Sequence, residues 1–328
     1  MTLMPRAVLA GLLLFTALGQ ALLLVHSMPA HAPARPAQVT GTASGTAAPG
    51  KTPAQALAES QPVPRPTAPP PRLGKPPAIK SDAALVVDEG GTPLFAKHTQ
   101  AVKPIASITK LMTAMVVLDS GADLGEIIEI TDADRDQLRH SRSRMRTNAA
   151  RLSRRDMLTI ALMSSENRAA SALGRTSLTG GTPAFVAAMN RKAQVLGMAN
   201  THYADASGLD GANRSTAEDL VKLLQAASRY PLIREATTRG ELQVNPYAGG
   251  GTLPYRNTNP LVRNEGWRVE LSKTGYVSEA GHCLAMQAQI AGRRYWIVLL
   301  DSAGKLTPVG DSNRLRKWIE AGQSGQRG

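Results

Sequence analysis

A single cysteine, Cys283, is all the thiol chemistry in this 328-residue chain. One cysteine cannot close an internal disulfide, and it rules out a thiolate metal cluster. An isolated cysteine in a globular domain is expected to be buried and inert. Aromatic residues are scarce as well, at 4% of the chain. No stretch interleaves them with basic residues as base stacking requires, so DNA and RNA are not expected partners. Acidic residues are outnumbered 25 to 38, leaving a formal charge of +13. Six of the basic residues and one acidic residue, Glu59, lie in residues 1–79, so the remainder keeps +8. A basic surface of that kind suits an anionic polymer or surface.

Only one long apolar run exists, residues 7–25, behind Arg6 and interrupted by Thr16 and Gln20. A basic flank, an apolar core and small residues after it form an export signal. The run is also about long enough to span a bilayer if it is retained. Ala30-His31-Ala32 has the form of a cleavage site, but Pro33 directly after it is unfavourable, so cleavage and anchoring both stay open. Residues 1–27 are therefore expected to be a signal peptide or an N-terminal membrane anchor. Thirteen of the 22 prolines fall in residues 28–77, and residues 28–79 are expected to be a disordered, extended linker. One catalytic domain over residues 80–322 and a short disordered tail, 323–328, complete the expected organisation.

Within that domain the residues from Ala84 to Val87 and from Pro93 to Ala96, around Glu89-Gly90-Gly91-Thr92, predict a β-hairpin. Val269 to Tyr276, Leu284 to Ile290 and Tyr295 to Leu300 predict three more strands, followed by a helix around Asn313 to Ala321. Between the two groups the periodicity is helical. Ile108, Leu111, Met112, Met115 and Val116 mark one buried helical face. Thr182-Pro183 opens another helix that stops at Gly197, and Ser215-Thr216-Ala217-Glu218 predicts a capping box. The expected fold is α+β, a five-stranded, mainly antiparallel sheet with an inserted helical region.

Three motifs stand in order: Ser107-Ile108-Thr109-Lys110, Ser165-Glu166-Asn167 and Lys273-Thr274-Gly275. They have the form S-x-x-K, S-x-N and K-T-G, the equipment of a serine acyltransferase acting on a small carboxylate-bearing peptide. Ser107 falls in the first turn of the predicted core helix, where the helix end favours a developing oxyanion. Lys110, on the same side, can act as base if burial and a nearby cation keep its amine neutral. Ser165 can relay a proton, and the Asn167 amide can hold Lys110 and the substrate backbone. Lys273 and Thr274 offer a cation and a hydroxyl to a carboxylate. Gly275 lets a substrate lie against the strand, and the N–H of Tyr276 is a candidate second oxyanion donor. Glu166 is expected to point outward. This chemistry calls for no metal or cofactor. A further S-x-x-K match, Ser302-Ala303-Gly304-Lys305, falls after the last predicted strand with no partner motif downstream and is read as a coincidence.

The chain resembles the low-molecular-mass penicillin-binding proteins of the serine D-alanyl-D-alanine peptidase family, with the endopeptidase group the nearer match. Residues 106–114, 162–170 and 273–276, together with Ala206-Ser207-Gly208-Leu209, carry the resemblance, which covers essentially all of residues 80–321. It implies the DD-peptidase and serine β-lactamase fold, action on D-alanyl peptide cross-links of peptidoglycan through an acyl-enzyme on Ser107, and acylation of that serine by β-lactam antibiotics. It also implies a periplasmic location, soluble or anchored to the inner membrane. Two departures stand out. The additional C-terminal β-rich domain of many relatives is not expected here. Where some relatives place an arginine after the last strand, this chain reads Lys305-Leu306-Thr307-Pro308. The second departure weakens the grip on a free terminal carboxylate and favours cutting cross-links over trimming ends.

The alternatives are a D-alanyl-D-alanine carboxypeptidase, a serine β-lactamase and a non-catalytic wall-binding protein. No segment plainly supplies the deacylating glutamate of a class A β-lactamase. Eight arginines between Arg135 and Arg155, interspersed with Asp132, Asp134, Asp136 and Asp156, are read as a solvated loop and helix face in preference to a wall-binding patch.

Overall fold

The computed structural model describes residues 73–324. The expected export or anchor segment, residues 28–72 of the expected linker, and residues 325–328 of the tail lie outside the described residues.

Strand β1 (Ala83–Asp88) is buried along its whole length, which explains the unbroken apolar run from Ala83 to Val87. Its hairpin partner β2 (Pro93–Lys97) lies at the sheet edge. The turn between them is held by Asp88 Oδ1, which accepts from the N–H groups of Gly90 and Thr92 at 3.0 and 2.8 Å. Three ten-residue strands near the C-terminus, β9 (Arg268–Val277), β10 (Gly281–Ile290) and β11 (Arg293–Ser302), complete one sheet in the order β2-β1-β11-β10-β9. Every pairing in it is antiparallel. Since β1 pairs with β11, residues more than two hundred positions apart meet in the sheet centre and enclose the intervening helices as an insertion.

Alternation along the strands sends side chains to two separate cores. Leu85, Val87, Val298 and Leu300 face one core with the inserted helices. Val86, Met286, Ile297 and Leu299 face the other, closed by Leu315 and Ile319 of the last helix. The inserted helices are α1 (Thr109–Asp119), α2 (Arg154–Met163), α3 (Asn167–Thr176), α4 (Gly181–Val195), α5 (Ala217–Ala227) and α6 (Pro231–Thr238); α7 (Thr307–Ser324) covers the far side of the sheet. Helix α1 buries every residue from Thr109 to Val117. It is the central helix, apolar nearly all round, which is why its one buried lysine is conspicuous.

Three short antiparallel ladders were absent from the expectation: β3 (Lys103–Pro104) with β6 (Arg214–Ser215), β4 (Ile127–Glu129) with β5 (Arg151–Ser153), and β7 (Glu241–Val244) with β8 (Leu253–Arg256). Two to four residues are too few to display a period. The cap of α5 is Thr216, whose side chain accepts from Asp219 N at 3.2 Å, one residue later than the predicted box; Ser215 belongs to β6. Ser302 is the last residue of β11, not part of the turn after it. Its buried hydroxyl lies 2.8 Å from Ser81 Oγ, in a group that Asp311 of α7 completes. Arg154 overturns the solvated reading of its segment in part. It is fully buried, donating to Asp123 O, Thr176 Oγ1 and Ser177 Oγ, with Glu126 as its counter-ion.

Candidate active site

Ser107 sits in a single 3₁₀ turn, Ala106–Ile108, that feeds directly into α1. The turn is tightly supported. Ala106 has a left-handed φ of 47°, and two glycines are pressed against it. A Cβ on Gly208 would stand 2.0 Å from Ala106 O, and one on Gly275 would stand 2.8 Å from Ile105 O. Gly208 also has a φ of 80°. Both positions therefore exclude any side chain, and both place backbone against Ser107. The Gly208 loop is organised by Asp205, whose carboxylate accepts from the N–H groups of Ser207, Gly208, Leu209 and Asp210. Sequence reasoning missed Asp205; an acidic residue just before a Ser-Gly pair is the signal that would have suggested such a turn.

Lys110 lies one helical turn beyond Ser107, 1% exposed. Its Nζ is within hydrogen-bond distance of Ser107 Oγ (2.8 Å), Asn167 Oδ1 (2.8 Å) and Ser207 O (2.6 Å). Burial lowers its pKa to about 8, and the negative charges of Asp205 and Glu166 oppose that only partly. The contact set fits the neutral amine well. Asn167 Oδ1 and Ser207 O can only accept, so they use the two N–H bonds, and the remaining lone pair faces Ser107 O–H.

Ser165 occupies the turn between α2 and α3 with φ 64°, a left-handed strain for a non-glycine residue. Its Oγ accepts from Lys273 Nζ at 3.1 Å, and the same nitrogen donates to Thr274 O at 2.9 Å. Lys273 is also buried. Desolvation, and behind it the charge of Lys110, hold its pKa well below the usual lysine range. Asn167 opens α3, and its Nδ2 donates to Ser141 Oγ at 3.2 Å, which leaves the amide oxygen turned to Lys110. Glu166 corrects the outward expectation. It is buried and caps α3, accepting from Arg168 N at 3.3 Å and facing Tyr255 O–H at 3.4 Å.

The eight residues singled out from the sequence thus meet in one place. Ser107, Ser165, Asn167, Thr274, Gly275 and Tyr276 line a cleft of about 470 Å³, with the two lysines hydrogen-bonded into its floor. Thr274 Oγ1 lies 2.6 Å from Thr258 Oγ1 on the facing wall. Beyond Gly275, the Tyr276 ring stacks on His282 with centroids 4.3 Å apart, and Lys305 also lines the cleft. Burial, then the Lys305 charge, holds His282 below its ordinary pKa. Cys283 is buried, its thiol pushed up to about 12 by desolvation, as an inert core cysteine should be.

Chemically, the arrangement offers a hydroxyl facing a partly neutral amine, a second hydroxyl facing a second depressed lysine, and a strand edge along which an extended peptide can lie. A family description for D-alanyl-D-alanine carboxypeptidases matches residues 71–304. The D-alanyl-D-alanine endopeptidase of Pseudomonas aeruginosa is 47% identical over 258 residues, covering 78% of this chain and 83% of that protein. The one from Escherichia coli is 45% identical, covering 75% and 79%. The crystal structure of the Streptomyces K15 DD-transpeptidase superposes with a TM-score of 0.69 at 26% identity, over 76% of this chain and all of that one. Penicillin-binding protein D2 of Listeria monocytogenes, in its cefotaxime-bound form, superposes with a TM-score of 0.65 at 28% identity, over 75% and 99%.

Proposed function

This chain belongs to the D-alanyl-D-alanine carboxypeptidase family, and from that premise we propose that it is a serine DD-endopeptidase hydrolysing the D-alanyl peptide cross-links of peptidoglycan. The observation that carries the proposal is the lysine at pKa about 8 held 2.8 Å from Ser107 Oγ. Ser107 Oγ attacks the D-alanyl carbonyl and its proton passes to Lys110 Nζ. The backbone N–H groups of Ser107 and Tyr276 receive the oxyanion. Ser165, placed against Lys273, passes a proton to the leaving amine, which departs with its half of the cross-link. Asn167 holds Lys110 in register, and Thr274 binds substrate in the cleft. Water then attacks the acyl-enzyme, Lys110 taking its proton and returning it to Ser107 Oγ as the ester bond breaks and the carboxylic acid product leaves. A β-lactam enters by the same first step and stays on Ser107.

Two observations favour cross-links over free chain ends. The relatives that share 45–47% identity are named endopeptidases, and Lys305, which lines the cleft, stands where some relatives place an arginine. The work of the enzyme on the wall, together with the apolar segment at residues 7–25, supports export to the periplasm; among the described residues no helix is long and apolar enough to cross a membrane. The test is to incubate purified protein with cross-linked muropeptide dimers and, separately, with uncross-linked pentapeptide monomers, and to weigh the products. Dimers should become monomers, with little loss of terminal D-alanine from the pentapeptide. Intact dimers beside efficiently trimmed pentapeptide would make the protein a carboxypeptidase instead.

A further inference from the structure

A second cavity, of about 440 Å³, lies beside the reacting cleft and is lined by Arg142, Arg144, Arg256, Ser164, Glu166 and Tyr255. The two cavities lie on either side of the same two backbone segments. Ser164 and Glu166 line the second cavity while Ser165 and Asn167 line the first, and Tyr255 and Arg256 line the second while Thr258, two residues on, lines the first. The second cavity thus borders the same two segments that carry Ser165, Asn167 and Thr258 into the reacting cleft.

Its charge is unbalanced. Elsewhere in the same arginine-rich segment, Arg135, Arg139, Arg151 and Arg154 are each paired with a carboxylate, those of Asp132, Glu279, Glu129 and Glu126. Arg142 and Arg144 are exposed and, among the described residues, have no acidic partner; the Arg144 guanidinium lies over the Tyr255 ring at 4.3 Å. Arg256 reaches only an exposed Glu241 at 3.8 Å. The single carboxylate in the lining, Glu166, is buried and already engaged by Arg168 N and Tyr255. Three guanidinium groups around one occupied carboxylate form a receptor for anions, with the fork geometry that suits carboxylates.

We propose that this cavity is a second substrate subsite that binds free carboxylates of the peptide strand flanking the scissile bond. The proposal rests on peptidoglycan as the substrate, whose stem peptides carry carboxylates on their acidic residues close to the D-alanyl bond. The ring carboxylate of a penicillin is accounted for by Lys273 and Thr274 in the reacting cleft, so the second subsite serves the wall substrate.

The experiment titrates a Ser107→Ala protein, which cannot turn substrate over, with a muropeptide dimer bearing free carboxylates and with the same dimer amidated at them. The titration is repeated with Arg142→Gln alone and with Arg142→Gln plus Arg144→Gln added. The double change should weaken binding of the free-carboxylate dimer about fivefold to tenfold, the sum of two exposed charge contacts. Arg142→Gln alone, which leaves the Tyr255 stack intact, should give part of that loss. The amidated dimer should bind all three proteins alike. Equal affinity of the three proteins for the free-carboxylate dimer would overturn the proposal. So would an equal loss with the amidated dimer, which would mean that the arginines act only by packing. Fluorescent-penicillin labelling of proteins that retain Ser107 reads the reacting site separately and should not respond to either arginine change. Cleavage of the dimer by the unaltered enzyme tests the enzymatic reading on its own.

Discussion

Exchanging Asn167 for aspartate would add a negative charge 2.8 Å from Lys110 Nζ, at an atom that now carries only a carbonyl dipole. At a pKa of about 8, about one Lys110 amine in ten is neutral at pH 7; at the ordinary lysine value it would be about one in three thousand. A contacting opposite charge raises a pKa by about one to three units, so Asn167→Asp should cut the neutral fraction at pH 7 by about tenfold to a thousandfold. The change is nearly isosteric, and Ser141 Oγ, which now accepts from Asn167 Nδ2, can donate to the new carboxylate instead. The assay is the second-order rate of acylation by a fluorescent penicillin across pH 6 to 10. For the unaltered protein the rate should rise with unit slope and level off above about pH 8, following the neutral amine. For the variant the rising limb should move to higher pH, and the two curves should close on each other as pH increases. A curve lowered by one constant factor with an unmoved midpoint would refute the reasoning, because it would leave Asn167 acting through geometry alone. Stability carries the same signature with the opposite consequence. The folded pKa of Lys110 lies below its unfolded value, so the folded state binds fewer protons in between, and the contribution of Lys110 to stability should rise from pH 8 to 10.5 by about 3 kcal/mol, with the depressed Lys273 acting in the same direction.

Three other changes have defined outcomes. Gly208→Ala must push Ala106 aside, since its Cβ would lie 2.0 Å from that carbonyl oxygen; it should abolish penicillin labelling and lower Tm by about 6–12 °C. Gly91→Ala, left-handed but in open space, should cost only about 1 kcal/mol and leave labelling intact. Glu166→Gln should shift the acylation limb to lower pH by less than about one unit, because it removes one of the charges that raise Lys110. It should leave the lifetime of the penicillin adduct unchanged, since Glu166 faces Arg168 and Tyr255; a lengthened lifetime, followed by loss of fluorescence from the labelled protein, would give Glu166 a part in deacylation.

Much of this architecture is legible in the sequence because it rests on short-range pattern. Most strands of the main sheet are apolar runs bounded by turn residues, and α1 carries its spacing openly. The three motifs are local strings that the antiparallel closure of β1 on β11 and the packing of β9 against the Ser107 turn bring together. What escaped the sequence depends on partners far along the chain. Glu166 turns inward because Tyr255, eighty-nine residues later, meets it. Arg154 is buried because Asp123 and Ser177, on two different segments, supply its acceptors. The cap of α5 shifted by one because Ser215 and Thr216 are both competent caps, and only the β3–β6 pairing decides between them. Asp205 escaped because a loop carboxylate that collects backbone N–H groups leaves no periodic trace.

The central claim is that Ser107, activated by Lys110, becomes acylated. The most direct measurement is peptide mapping by mass spectrometry of the protein after brief exposure to penicillin. The adduct should carry the full mass of the antibiotic and lie on Ser107, and Ser107→Ala protein should carry none. An adduct on any other residue, or unmodified protein under conditions that keep it folded, would contradict the account.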